Sequence, residues 1–219
     1  MSGVGDPVLL MNGLARSLDS WTPFTDGLCD RTVITYDAPG VGQSQTPTSY
    51  FSMRMLADVG CAVLDHFGIA ASDVVGFSHG GAVAQEFAAR HQDRTNRLVL
   101  LATSCGLGSV PGRFDDLTRL LFSRRLRRGS SRPDLPGLLW QIAAISTWSS
   151  IPLLGSISAP TLVVCGLRDR IVPPANSTVI AQRIPDARLV SLPVGHDLQK
   201  SDVAATVAAL VDNFLADRT

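Results

Sequence analysis

Residues 73–82 read DVVGFSHGGA, and this stretch decides the fold. Residues 73–77 form a short apolar run that is typical of a buried strand. The pattern G-x-S-x-G covers residues 76–80, and it belongs where a strand turns sharply into a helix, because the residues two before and two after the serine must be small. The stretch therefore predicts a strand, a tight turn that holds Ser78 above the sheet, and a helix over residues 79–91.

Further apolar runs and helical patterns alternate along the chain on both sides of this turn. The runs are rich in Val, Leu and Ile, as expected for strands covered on both faces. They cover residues 8–11, 32–36, 97–102, 161–166 and 187–192. The helical patterns cover residues 52–67, 173 to about 184, and about 201–215. This alternation predicts an α/β fold, a mostly parallel sheet of about six strands with helices on both faces.

One segment, residues 106–150, interrupts the alternation. It is longer than a crossover helix needs, and it holds seven arginines between residues 113 and 132 before it turns apolar over residues 138–148. We predict a short cap insert here, within a core made of residues 1–105 and 151–219. The basic run is most simply a solvated face, with anion binding as the alternative.

Composition excludes several classes of protein. The 219 residues are 45% hydrophobic and 17% charged, unlike a disordered chain. Lys+Arg and Asp+Glu both number 19, and this zero net charge argues against nucleic acid as a partner. Four cysteines form no CxxC pair, which predicts free thiols in a reducing cytoplasm rather than disulfides or zinc. We expect no signal peptide and no transmembrane segment.

Ser78 needs a base to become a nucleophile, and the chain offers four histidines. His66 and His91 lie at predicted helix ends, where they would interact with the helix dipole. His79 adjoins the serine but points off the wrong side of the turn. His196 follows the last predicted strand, where a loop at the carboxyl edge of the sheet would present it. We therefore predict His196 as the base.

The acid that orients this base should follow the preceding strand. Asp169 lies three residues after the glycine that ends that strand. It gives the chain order Ser78, Asp169, His196, which is the order expected when the serine lies on such a strand-to-helix turn. Asp197 is the rival, but it adjoins the histidine and does not easily reach round to Nδ1. We predict Asp169 as the acid.

Two backbone N–H groups should form the oxyanion hole. We predict those of His79, directly after the nucleophile, and of Leu14, in the loop after the first strand. The turn over residues 37–44, DAPGVGQS, is predicted to be structural. The apolar cap segment predicts an acyl pocket, and we assign Asn12, Trp140, Ile145 and Trp148 to it. The alternative is a cap helix that only packs against the core.

From about residue 7 to residue 215 the chain resembles the α/β-hydrolase superfamily. The resemblance rests on MNGL at residues 11–14, DAPGVGQS, GFSHGG at 76–81, GLRDRIVP at 166–173 and GHD at 195–197. Within the superfamily the chain is most similar to the intracellular polyhydroxyalkanoate depolymerases, on Asn12-Gly13, DAPGVGQS, SVPG at 109–112 and residues 140–160. His79 stands where those depolymerases tend to have tryptophan, and the predicted cap is shorter than theirs.

The resemblance implies a serine hydrolase that cleaves small carboxylic esters of short to medium chain, hydroxyalkanoate esters included, through an acyl-enzyme and without a metal or organic cofactor. One alternative is a thioesterase, whose acidic acyl carrier would meet the arginine-rich part of the cap. Another keeps the triad for perhydrolysis, carbon–carbon hydrolysis or a lyase reaction. A ligand-binding protein without catalysis is the non-enzymatic alternative.

Overall fold

Six parallel strands form one sheet in the computed structural model, which describes residues 1–28, 30–116, 118, 135–200 and 203–217. The sheet order is β2-β1-β3-β4-β5-β6. The strands are β1 (Asp6–Met11), β2 (Arg31–Thr35), β3 (Ser72–Phe77), β4 (Thr95–Leu101), β5 (Thr161–Gly166) and β6 (Ala187–Leu192). This confirms the predicted sheet, and every pairing in it is parallel.

Helices cover both faces of the sheet, as predicted. They are α1 (Thr22–Thr25), α2 (Met53–His66), α3 (His79–Arg90), α4 (Leu135–Ser146), α5 (Ala175–Ala181) and α6 (Ala204–Ala216). Short 3-10 helices occupy Leu18–Trp21, Gln92–Arg94 and Leu154–Ser156. Side chains of α2, α3 and α5 join one core cluster, and those of α1 and α6 join the other.

Alternate residues of each strand face opposite clusters, because successive side chains of a strand point to opposite faces. Leu9 and Met11 of β1 pack with α2 and α3, whereas Val8 and Leu10 pack with α1 and α6. All four are at most 1% exposed. Full burial of such a side chain contributes about 1.5–3 kcal/mol. These apolar strands therefore hold the carboxyl edge of the sheet in a fixed place.

Element ends agree with the sequence to different degrees. The bounds of β5 and β6 are those predicted, and the other strands differ by one or two residues at an end. Helix α5 ends at Ala181 rather than near Ile184. The N–H groups of Arg183 and Ile184 both bond to the Ile180 carbonyl in a closing turn, and Pro185 follows, which cannot continue a helix.

The two ends of the predicted insert pair with each other. Ser150 N–H donates to the Cys105 carbonyl (3.0 Å), and Leu107 N–H donates to the Trp148 carbonyl (2.7 Å). Gly106, with φ +73°, lies so close that a Cβ there would be 2.2 Å from the Trp148 oxygen. Residues 117 and 119–134, with most of the arginine run, lie outside the described residues. The insert and its basic face stay predictions.

Two further sequence expectations concern membranes and cysteines. Among the helices described, none is both long and apolar enough to cross a bilayer. Cys61, Cys105 and Cys165 are free thiols, and Cys29 lies outside the described residues. The cytoplasmic location predicted from the cysteines stays a prediction.

Candidate active site

Ser78 occupies a strained turn between β3 and α3. Its backbone has φ 53° and ψ −117°, a conformation that residues other than glycine rarely adopt. Its N–H donates to the Leu101 carbonyl (2.8 Å), and its own carbonyl accepts from Thr103 Oγ1 (2.7 Å). The last residue of β4 and Thr103, two residues later, therefore hold the strained serine in place.

The glycines on either side of Ser78 leave no room for a side chain. A Cβ on Gly76 would lie 2.5 Å from the Gly80 carbonyl oxygen, and one on Gly80 would lie 2.1 Å from the Met11 carbonyl oxygen. Both contacts are with backbone, which does not give way easily. The structure thus supplies the steric reason for small residues that the sequence pattern predicted.

The three predicted catalytic residues lie in one hydrogen-bonded chain. His196 Nδ1 donates to Asp169 Oδ2 (2.7 Å), so the neutral ring accepts at Nε2, which is 3.1 Å from Ser78 Oγ. Asp169 Oδ1 accepts the N–H groups of Ile171 and Val172, both at 2.9 Å. Asp169 and His196 are buried. The loops after β5 and β6 thus bring an oriented acid and base to the serine hydroxyl.

Asp197, the rival acid, is engaged elsewhere. Its Oδ1 accepts from Nη2 of buried Arg16, whose guanidinium lies 4.9 Å above the Phe77 ring. Burial raises the pKa of Asp197, but the charge and hydrogen bond of Arg16 outweigh this and lower it overall. The Phe77 ring lies 5.2 Å from that of His196. Arg16 was not predicted to take part in this arrangement.

All four histidines are within the described part of the chain, and His196 is the one bonded to Ser78. His91 Nε2 lies 3.2 Å from Asp58 Oδ1 at the far end of α3. His79 is buried, and desolvation lowers its pKa to about 4, against a smaller raising effect of a hydrogen bond to the Gln141 backbone. The His79 ring therefore stays neutral near pH 7.

The loop after β1 is held by the side chain of Asn12. Asn12 Oδ1 accepts from Gly13 N–H (2.8 Å) and from Gln199 Nε2 (3.2 Å). Its Nδ2 donates to the Ser17 carbonyl and to Ser20 Oγ, both at 2.7 Å. These bonds use both donors and two acceptor positions of the amide. Asn12 therefore fixes the loop, and its amide has little hydrogen-bonding capacity left for a substrate.

Leu14 and His79, the predicted oxyanion-hole residues, lie in this loop and at the start of α3. Gly13 brings the loop against the strand, because a Cβ there would be 2.9 Å from Phe77 Cδ1. Ala15, which directly follows Leu14, has φ +57° and donates its N–H to Gln141 Oε1 (3.1 Å). The assignment of the two N–H groups to an oxyanion hole stays a prediction.

A small cleft lies beside the start of α3. It is lined by Met11, Asn12, Tyr36, Ala38, Leu56, His79, Gly80 and Val83. Asn12 is the predicted pocket residue among them. Leu56 and Val83 were not predicted as lining residues, although Leu56 is on the apolar stripe of its predicted helix. Trp140, Ile145 and Trp148 are not among the described residues that line this cleft.

The predicted cap residues pack beside the core. Trp140 meets the Tyr50 ring edge-on, with centroids 5.8 Å apart. Trp148 Nε1 donates to Oε2 of buried Glu86 (2.7 Å). Trp140, Ile145 and Trp148 all adjoin the cluster that contains α2 and α3. Their assignment to a substrate pocket stays a prediction.

The turn over residues 37–44 has internal bonds that suit the structural role assigned to it. Asp37 Oδ1 accepts the Leu18 N–H (2.8 Å), and Oδ2 accepts the Gln43 N–H (3.1 Å). Gly42 has φ +58°, and a Cβ there would be 1.9 Å from Asp37 Oδ2. The aspartate thus ties this turn to the loop after β1.

Comparison with known proteins identifies the class to which this fold and site belong. The sequence model of the alpha/beta hydrolase fold family matches residues 6–128 and 112–203. The chain therefore belongs to the alpha/beta hydrolase fold family, which confirms the resemblance drawn from the sequence motifs.

Particular relatives include more than one kind of hydrolase. The chain is 34% identical to a poly(3-hydroxyalkanoate) depolymerase of Ectopseudomonas oleovorans, over 95% of this chain and 84% of the relative. It is 29% identical to a 2-hydroxymuconate semialdehyde hydrolase of Pseudomonas sp. strain CF600, over 99% and 89%. The structure of an enol-lactonase from Burkholderia xenovorans LB400 superimposes with a TM-score of 0.85 at 26% identity, covering 98% and 93%.

Proposed function

We propose that this protein is a serine hydrolase that cleaves carboxylic esters through an acyl-enzyme. The observation that carries the proposal is the bonded chain in which Asp169 Oδ2 lies 2.7 Å from His196 Nδ1 and His196 Nε2 lies 3.1 Å from Ser78 Oγ. A serine hydroxyl with an adjacent base, itself oriented by a third group, is the arrangement that nucleophilic catalysis requires.

The steps follow from these distances. Ser78 Oγ attacks the acyl carbon while His196 Nε2 takes its proton, and Asp169 stabilises the imidazolium. The N–H groups of Leu14 and His79 bind the oxyanion. His196 then gives its proton to the departing alkoxide as the ester bond breaks. Water attacks the acyl-enzyme with His196 as base, which breaks the Ser78–acyl bond and releases the acid.

The substrate we propose is a small ester with a short or medium acyl chain, including hydroxyalkanoate esters. The depolymerase relative supports the hydroxyalkanoate class. We propose soluble monomers rather than a polymer as substrates, because the cap predicted from the sequence is short. Asn12 and the cap residues Trp140, Ile145 and Trp148 are proposed to surround the acyl chain.

Carbon–carbon bond hydrolysis is the second candidate. It is favoured by the 29% identity to a 2-hydroxymuconate semialdehyde hydrolase over 99% of this chain. The same serine and base would serve either reaction, so the bond that is cleaved must be decided by experiment.

The proposal is tested by labelling with a fluorophosphonate and by assays on p-nitrophenyl esters of graded length. Ser78→Ala should abolish labelling and lower kcat by roughly 10³-fold or more. Ser158→Ala, which changes an exposed serine before β5, is the matched control and should label normally. Retention of a tenth of the turnover in Ser78→Ala would exclude Ser78 as nucleophile. Faster turnover of 2-hydroxymuconate semialdehyde than of any ester would select the second candidate.

A further inference from the structure

Gln141 connects the cap helix to both segments that flank the predicted oxyanion hole. It lies within α4 and is 1% exposed. Its side-chain oxygen Oε1 accepts the N–H of Ala15 at 3.1 Å. Its backbone is also close enough to the ring of His79 to raise the pKa of that ring, against the larger lowering by burial. One buried residue of α4 thus contacts the loop after β1 and the first residue of α3, which are 126 and 62 residues away in sequence.

The hydrogen bond from Ala15 to Gln141 lies at a strained position of the backbone. Ala15 has φ +57°, in the left-handed region that residues with a Cβ seldom adopt, and it is 2% exposed. A buried N–H without a partner is costly, and a strained residue persists only when its surroundings hold it. Because Ala15 directly follows Leu14, we expect a displacement of the Ala15 backbone to displace the Leu14 N–H as well.

We infer that Gln141 is a positioning residue of the oxyanion hole, acting through Ala15 to aim the Leu14 N–H at the developing oxyanion. This inference rests on the proposed function. Gln141 is not a catalytic residue, since the N–H groups of Leu14 and His79 are the ones proposed to touch the reacting oxygen. The cap thereby contributes to catalysis through a hydrogen bond to the core.

A second anchor holds the same loop one residue further along. Arg16, the next residue, pairs with Asp197 and lies over the Phe77 ring on the side of the base. Loss of the Gln141 bond therefore leaves the loop attached at Arg16 and Asn12, and we expect displacement of the donor rather than unfolding of the loop.

The test compares Gln141→Leu, which keeps most of the volume but loses the acceptor, with Ser146→Ala, a change at an exposed position on the same helix. Gln141→Leu should lower kcat by about ten- to a hundredfold, because removal of a whole donor costs about 10²–10³-fold. KM should change less than threefold. Ser146→Ala should match the wild type. Gln141→Met is measured in the same way in case Gln141→Leu does not fold.

A second readout separates positioning from general packing. A trifluoromethyl ketone forms a hemiketal oxyanion with the active serine, so its affinity should fall by about the same factor as kcat. Wild-type protein that neither hydrolyses esters nor binds the ketone would overturn the proposed function itself. Active wild type with Gln141 variants within twofold in kcat and ketone affinity would overturn the inference alone, as would an effect confined to KM.

Discussion

The two sides of Ser78 are held in different ways. On the base side, Asp169 bonds to His196 and His196 bonds to the serine through their side chains, and the two residues lie three and four residues after the ends of β5 and β6. On the oxyanion side the proposed donors are the backbone N–H groups of Leu14 and His79, and distant side chains hold the loop that contains Leu14. Ala15 is held by Gln141, and Asn12 by Gln199, which lie 126 and 187 residues away. The base side therefore depends on the identity of its reacting side chains, whereas the oxyanion side depends on contacts with residues far away in sequence that hold its backbone.

This difference should appear in the effects of mutations. A conservative change on the base side removes chemistry and leaves packing nearly intact. A change on the oxyanion side leaves a buried backbone group unsatisfied, which costs about 1–3 kcal/mol of stability as well as activity. Mutations on the base side should therefore lower activity with little loss of stability, whereas mutations on the oxyanion side should lower both.

The largest effect within this comparison is expected at the acid. Asp169→Asn should lower kcat by roughly 10³–10⁴-fold, because an amide cannot hold the Nδ1–H tautomer and stabilise the charged ring. Asp197→Asn should cost less than tenfold, since Asp197 contacts Arg16 rather than Nδ1. Steady-state assays of both variants on one short ester measure the ranking, and the reverse ranking would assign the acid to Asp197.

The sequence was sufficient to predict the geometry of the base side. Each strand end is marked by a glycine or a turn, so parallel pairing alone carries residues 78, 169 and 196 to one edge of the sheet. The contact between Ala15 and Gln141 could not be predicted in this way. It depends on how α4 sits over the sheet, and no periodicity of the insert determines that placement. For the same reason the cleft-lining residues of α2 and α3 were missed, while cap residues were assigned.

We expect an effect of intermediate size on activity at the tryptophans of the predicted cap. If Trp140 lines the acyl pocket, kcat/KM should rise up to about fourfold per added methylene from acetyl to medium-chain esters, from about 0.8 kcal/mol per group. Trp140→Ala should flatten that rise and leave acetyl esters nearly unchanged. An acyl-length series on the two proteins measures this, and a wild-type optimum at acetyl would contradict the pocket assignment.

Trp148 provides the matched comparison within the same segment. Trp148→Phe removes the indole N–H from buried Glu86, so we expect a loss of about 1–3 kcal/mol in the free energy of unfolding. The rise with acyl length should persist in this variant, because the ring remains. Loss of the rise without loss of stability would instead mean that the indole N–H acts on the substrate rather than on Glu86.

The last effect in this order concerns His79, on the oxyanion side of Ser78, and it is measured in the pH dependence of stability. The pKa of His79 is lowered to about 4 by burial, below the value near 6.5 that an unfolded chain would show. Between these values the unfolded chain binds a proton that the folded protein does not, so stability falls as pH falls. The His79 share of that fall from pH 7 to pH 5 should be about 2 kcal/mol.

Denaturant unfolding at pH 7 and pH 5 measures this share when wild type is compared with His79→Phe and with His66→Ala, which changes an exposed histidine. The loss of stability on acidification should be about 2 kcal/mol smaller in His79→Phe, because phenylalanine takes up no proton in either state. His66→Ala should follow the wild type. An unchanged pH dependence in His79→Phe would mean that the ring accepts a proton in the folded protein, and the oxyanion side would then carry a charge that its burial is expected to exclude.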